Sequence, residues 1–466
     1  MYTAKIINLK KASGNVNPAI VQHNTTSVQS EGLKRELGVI DIAASVVNMT
    51  IGSGIFLLPG LVAAILGNAS IVAYIFCGLL YFCIMLCYAE MSSRITSSGG
   101  AYAYIEKAFG PFAGFIANNL YWFCGVLLVA ALTNGIADML SVPFPIFNEQ
   151  LYQILLFVVM IAFLCYTNVS GVKQSMKLAK LLTILKLLPM LLIVVVGLFQ
   201  LNFSNLKWNR FPSANEIGTA SLILFAAFLG GETAATMGGE MKNPQRTGPR
   251  GILLGVGSVI IFYMLIQLTA QSSLGASLAT QKAPLAAVAG SEVGSWALQM
   301  LIVCGIISIF GSLYSGVMAF SRVMFAGAFN GLLPKYLSKV HPRYATPYWS
   351  IITLSAIGLI LACTGGYRHL IVVATISMML LFVGVVLALI KFKLSKEENQ
   401  DVTGFRIPGG VTIPVIALIT LVWFLWHSKQ DEIKGAAIFI ASVSVIYLLK
   451  IIFSKRKATM VMPGIG

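Results

Sequence analysis

Charge is scarce in this chain: Asp, Glu, Lys and Arg together supply 10% of 466 residues, and there are 4 histidines. Acidic residues are half as numerous as basic ones, 16 against 32. Soluble domains devote about a quarter of their residues to charge, so the shortage excludes an ordinary soluble fold. Also missing are a nucleophile elbow, a phosphate-binding loop and zinc-ligand spacing, so no enzyme, resident metal or cofactor is expected. His23, His341, His369 and His427 are scattered between the amino-terminal tail and the ends of apolar runs. They suggest no shared role.

Apolar sequence is abundant instead. Hydrophobic residues make up 57% of the chain, mean hydropathy is +0.85, and many apolar runs reach the length of a bilayer crossing. The expected fold is an all-α membrane protein of about twelve transmembrane helices. The runs fall near residues 37–65, 70–91, 112–138, 150–168, 176–200, 216–239, 251–273, 295–320, 348–363, 369–390, 410–427 and 435–453. The seven cysteines lie in or beside these runs without metal-like spacing, and read as small buried hydrophobes. The first 36 residues are polar and basic and lack the apolar core of a signal peptide.

The net charge of +16 has two explanations: a nucleic-acid partner, or orientation signals in a membrane protein. Its distribution favours the second. Most Lys and Arg residues fall in alternate connections, at 94 and 107, 173–180, 242–250, 322–343, 391–406 and 450–457. That asymmetry places these connections and both termini in the cytoplasm, and the chain in the cell membrane.

Two runs interrupt themselves. In the first, Gly52, Ser53, Gly54 and Pro59 stand inside apolar sequence; in the sixth, Gly230 and Gly231 precede Glu232. Unwound backbone at membrane depth survives only where it faces a cavity or a ligand completes it. Breaks in the first and sixth spans are what two inverted five-span repeats produce, and they mark a midplane binding site. The alternative is a pair of unrelated glycine kinks used for close packing. The resulting organisation is a tail over 1–36, repeats over 37–200 and 201–395, two peripheral helices over 396–454 and a tail over 455–466. A glycine-rich stretch at 251–257 reads as a helix-packing surface.

Among the ionisable residues, Asp41, Glu90, Asp138 and Glu240 lie near span ends, where salt bridges explain them. Lys186 and Glu232 lie deeper, among apolar neighbours. Intramembrane charge marks a functional group by default. The plainer readings are a snorkelling cation for Lys186 and a structural hydrogen bond for Glu232.

Several motifs in order carry a family resemblance. They are the run from Met49 to Pro59, Tyr88-Ala89-Glu90-Met91-Ser92, Gly99-Gly100-Ala101-Tyr102-Ala103-Tyr104, Gly110-Pro111-Phe112, Glu240-Met241-Lys242-Asn243-Pro244, Gly311-Ser312-Leu313 and Asn330-Gly331-Leu332-Leu333-Pro334. Over residues 36–455 the chain resembles the amino acid–polyamine–organocation permeases. The resemblance implies the 5+5 inverted-repeat fold of the leucine-transporter type, with the first and sixth helices broken. It implies that the amides and hydroxyl around Gly52, Ser53 and Gly54 receive a substrate carboxylate. The substrate ammonium would meet carbonyls at Thr50, Ala226 and Leu229. Lys186 would stand in for a sodium ion, bridging the first span near Gly52 to the eighth near Ser312. Glu232 would serve proton or substrate sensing, with Tyr121 and Phe228 as gates.

Positions that hold a guanidinium in arginine exchangers of that family align with Ala226, Gly316 and Val129, which offer no such clamp. An apolar pocket cannot satisfy a buried cation. The expected function is therefore sodium-independent transport of neutral amino acids by alternating access, through proton symport or exchange. The partners are then an amino acid, protons and the bilayer, with no nucleic acid. A cationic amino acid or polyamine antiporter stands second, and a non-transporting amino acid sensor third. A channel is disfavoured by the lack of a filter-like repeat.

Overall fold

The computed structural model describes residues 33–448, apart from 53, 142–143, 209, 282–283, 293, 365–366, 396–403, 428–433 and 435–436. Ser53, His23, most of the expected amino-terminal tail and the whole carboxy-terminal one lie outside the described residues. Among the described residues the fold is helical, with one isolated β-bridge between Leu37 and Met241. Eight helical stretches are long and apolar enough to cross a membrane, and shorter apolar helices accompany them.

The helices follow the apolar runs. α1 (Val39–Thr50) and α2 (Gly54–Leu66) divide the first run, and α3 (Ile71–Arg94) fills the second. A short helix that hydropathy did not suggest, α4 (Ala101–Phe109), precedes α5 (Pro111–Ser141), α6 (Gln150–Val169) and α7 (Val172–Phe199). α8 (Ala214–Phe228) opens on a capping box, in which Ser213 and Glu216 satisfy each other's backbone amides. It gives way to a 3₁₀ stretch, Gly231–Glu240, before α9 (Pro244–Leu274). α10 (Pro284–Glu292), also unexpected, leads to α11 (Ser295–Phe329), α12 (Tyr348–Thr364), α13 (Tyr367–Leu394) and α14 (Thr412–His427). A last apolar helix, α15, covers Ala437–Leu448.

α1 is wedged between α7, α9 and α11, while α2 packs on α8. The glycine-rich stretch does supply a packing surface. A Cβ on Gly251 would lie 2.5 Å from Ile42, and one on Gly255 would lie 2.6 Å from Val46, so α1 and α9 touch where side chains are absent. In lipid, where apolar burial gives little drive, such close backbone approach supplies the packing attraction. All seven cysteines are free.

Three of the four end-of-span acids are ion-paired. Glu90 meets Arg94 at 2.6 Å and Lys393 at 3.0 Å, Asp41 pairs with Lys180, and Glu240 meets Arg322 at 3.0 Å. Asp138 has no ion-pair partner among the described residues, which corrects the salt-bridge expectation there. Glu240 does the most structural work. Its carboxylate holds Arg322 of α11, its carbonyl accepts from the amides of Glu36 and Leu37, and both members of the ion pair are fully buried.

Removing one partner of a buried pair strands the other charge. Glu240→Ala is therefore expected to cost about 3–5 kcal/mol of stability, read as a lowered unfolding midpoint of the purified protein. The double variant Glu240→Leu with Arg322→Met removes both charges and should recover most of the loss.

Candidate functional site

The two interruptions lie against one another. α1 ends at Thr50, and Ile51 leaves helical geometry at φ −77 and ψ 88. α8 ends at Phe228, Leu229 is extended, and Gly230 takes φ +133, a conformation L side chains rarely adopt. A Cβ on Gly230 would lie 2.9 Å from the Thr50 amide nitrogen, so the second break seats its glycine on the first.

At the first break, the end of α1 leaves carbonyls without helical donors. Lys186 of α7, fully buried, donates through Nζ to the carbonyls of Asn48 and Ile51, both at 2.6 Å. From α11, Ser312 donates to Asn48 at 2.9 Å and Ser308 donates to Ile51 at 2.9 Å. Lys186 and Ser312 thus meet through shared peptide oxygens. The Asn48 side chain adds donations to the Gly311 carbonyl at 2.8 Å and the Ser315 hydroxyl at 2.9 Å. With no room to reach an interface, Lys186 is not a snorkelling cation.

The second break has a different chemistry. The amides of Gly230 and Gly231 would continue α8 by bonding to Ala226 and Ala227. They donate instead to the Glu232 carboxylate at 2.9 Å and to the Tyr81 hydroxyl at 3.0 Å. Tyr81 in turn donates to Glu232 at 3.0 Å. The helix stops because side chains have captured its next two donors. Tyr263 of α9 ties the breaks together, its hydroxyl lying 3.1 Å from the carbonyls of both Thr50 and Ala227.

A cavity of about 210 Å³ opens at this junction. Thr50, Gly52, Gly54, Ala226, Leu229, Glu232 and Ser312, all expected site residues, line it. The Thr50 hydroxyl is buried there without a partner among the described residues. Two expected backbone contacts are already engaged: the Gly52 amide donates to the Thr50 carbonyl at 2.9 Å, and that carbonyl also faces Tyr263. The amides at the start of α2 and the carbonyl of Ala226 are the groups left by the two breaks.

Tyr121 and Phe228 do not line the cavity. Tyr121 lies behind Phe320, meeting its ring edge-on at 5.6 Å, and Phe320 is the lining residue. Phe228 packs between Tyr263 at 5.1 Å and Tyr81 at 5.7 Å. The wall from α5 is Cys124, Leu128 and Leu132, one residue per helical turn. Val129 and Gly316 are not part of the lining, whereas Ala226 is. Sequence reasoning also missed Asn48, Tyr81, Tyr263 and Ser308. Asn48 stands one helical turn before Gly52 and could have been found; tyrosines and serines in apolar helices carry no distinguishing signal.

Buried helices of membrane-crossing length, broken around a shared cavity, define a multi-pass membrane protein built to hold a small solute. The chain belongs to the amino acid permease family, whose model matches residues 37–453. It is 29% identical to a serine/threonine exchanger of Bacillus subtilis over 454 residues, covering 92% of this chain and 99% of the relative. It is 26% identical to a branched-chain amino acid permease of the same organism, covering 90% of this chain and 93% of the relative. A methylthioribose transporter from that organism is 27% identical, covering 90% and 94% respectively. All three relatives are transporters, the first two of amino acids, and with the family match this makes amino acid transport the general activity of the chain.

Tyr81→Phe would leave the Gly231 amide without its acceptor and take one donor from Glu232. A buried group left unpaired costs about 1–3 kcal/mol, and thermal unfolding of the variant should show a loss of that size.

Proposed function

We propose that this permease is a secondary active carrier of neutral amino acids, sodium-independent, working by alternating access through proton symport or exchange. In this reading twelve crossing helices form two inverted five-helix repeats plus two peripheral helices, in the cell membrane with both termini cytoplasmic. The basic connections and the two facing breaks support it.

The observation that carries the reading is the opposed chemistry of the breaks around one cavity. The start of α2 offers amides at the positive end of a helix, suited to a carboxylate. The end of α8 offers the Ala226 carbonyl, stripped of its helical donor by Glu232, suited to an ammonium group. Ser53 would add its hydroxyl on the carboxylate side, with Gly52 and Gly54 allowing close approach. Thr50 and Leu229 border the ammonium side. Much of the remaining wall, including Leu58, Leu128, Ile223 and Met378, is apolar and favours an uncharged side chain, each buried methylene gaining about 0.8 kcal/mol.

Lys186 is the coupling group in this proposal. It occupies the place a bound cation would take, on the carbonyls of Asn48 and Ile51, with Ser312 on the same oxygens. Tyr121 would act as a gate through Phe320, and Phe228 through Tyr263. A cationic substrate is favoured by one specific feature: Glu232 lines the cavity and has no cationic partner among the described residues.

Counterflow of labelled amino acid into proteoliposomes, with a panel of unlabelled competitors, separates these readings. Small neutral amino acids should drive exchange with or without sodium; exchange driven solely by lysine, arginine or polyamines would establish the second reading, and saturable binding without counterflow would indicate a sensor. Lys186→Ala is expected to reduce uptake to near background while the protein still purifies as a folded monodisperse species. Unchanged uptake would remove Lys186 from the coupling mechanism.

A further inference from the structure

At the end of the molecule where α1 begins, the backbone is tied across two segments. The amides of Glu36 and Leu37 donate to the Glu240 carbonyl at 2.9 and 3.0 Å, and the Lys242 amide donates to the Leu37 carbonyl at 3.0 Å. Beside this bridge lies a second cavity, of about 470 Å³, lined by Arg35, Thr96, Lys242, Asn243, Gln245 and Arg246. Among the described residues its lining holds three cations and no acidic side chain. None of Arg35, Lys242 and Arg246 is ion-paired among the described residues. The neighbouring acids are turned elsewhere or committed: Glu240 is held by Arg322, and Glu36 is not part of the lining.

Three like charges gathered around one hollow repel each other unless an anion joins them. Guanidinium groups favour oxyanions with several acceptors, above all phosphate, which two arginines and a lysine can contact together. The position fits an amphiphilic source. α9 begins at the pocket and runs into an apolar stretch long enough to cross the bilayer, so the pocket lies where a span leaves the membrane.

We propose that this pocket binds a phosphate-bearing anion, in the membrane the headgroup of an anionic phospholipid. Arg35 lies on the segment leading into α1, whereas Lys242 and Arg246 flank the start of α9. A bound phosphate therefore joins the same two segments as the backbone bridge and reinforces it. This anion site shares no lining residue with the amino acid cavity.

The test uses the purified full-length protein in mixed micelles containing fluorescent phosphatidylglycerol or phosphatidylcholine, with inorganic phosphate as a soluble competitor. The wild-type protein should retain phosphatidylglycerol in preference to phosphatidylcholine. Each of Arg35→Gln, Lys242→Gln and Arg246→Gln should weaken that preference, by up to about fivefold per charge, the scale of a basic residue at an anionic surface. Lys335→Gln with Lys339→Gln, which removes two exposed charges from another connection, should leave it unchanged. Displacement by millimolar phosphate alone, with no lipid preference, would support the same anion site with a soluble source. Equal retention of both lipids with no effect of phosphate would overturn the proposal, as would equal losses from the pocket and control variants. Arg35 lies outside every helix, so its variant keeps the test decisive if the α9 variants fold poorly.

Discussion

Two peptide oxygens, those of Asn48 and Ile51, hold the centre of this structure together. α1 stops in apolar surroundings, where an unbonded carbonyl costs several kcal/mol. The cost is avoided by Lys186 from α7 and by Ser308 and Ser312 from α11, which converge on the same pair of oxygens. A single break in α1 is thereby coupled to two other helices. Lys186 rests on peptide carbonyls, leaving the Glu232 carboxyl group to be held separately by Tyr81 and Gly230. The two ionisable side chains of the region thus have separate partners, each at the end of a different helix.

That arrangement explains which features were legible in the sequence. The spans were legible because apolar runs of bilayer length have few other uses, and the breaks because Gly52, Gly54, Gly230 and Gly231 stand where a helix would otherwise continue. Lys186 and Glu232 stood out because charge is rare there. The partners of these charges did not. Tyr81 and Tyr263 are ordinary residues in apolar helices, and their importance arises only when a neighbouring helix ends beside them. The face of α5 was equally hidden, because that helix is apolar on nearly every side and so has no period to read. Tyr121 and Val129 were the residues expected there, while the cavity wall is the neighbouring stripe of Cys124, Leu128 and Leu132. α4 and α10 were missed because nine-residue helices fall below the length that hydropathy detects.

The two ends of the molecule are secured unequally. Beside its α5, α11 and α13 walls, the cavity is lined by Leu58 and the exposed Leu61 of α2 and Ile223 of α8, and takes nothing from α1 before Met49. Toward the start of α1 the chain is instead closed by the bridge between Leu37 and Met241 and by the Glu240 hub. In the alternating-access cycle proposed above these ties would have different fates. Glu36 is half-buried and Lys242 exposed, and a backbone hydrogen bond exchanged for one to water costs about 1 kcal/mol. The ion pair of Glu240 with Arg322 is fully buried and cannot open without stranding two charges. In that proposed cycle the economical movement would be one in which α1 parts from residues 240–242 while Glu240 stays with α11. The joint for such a movement is already present, because the break after Thr50 frees α1 from the helical continuity of α2.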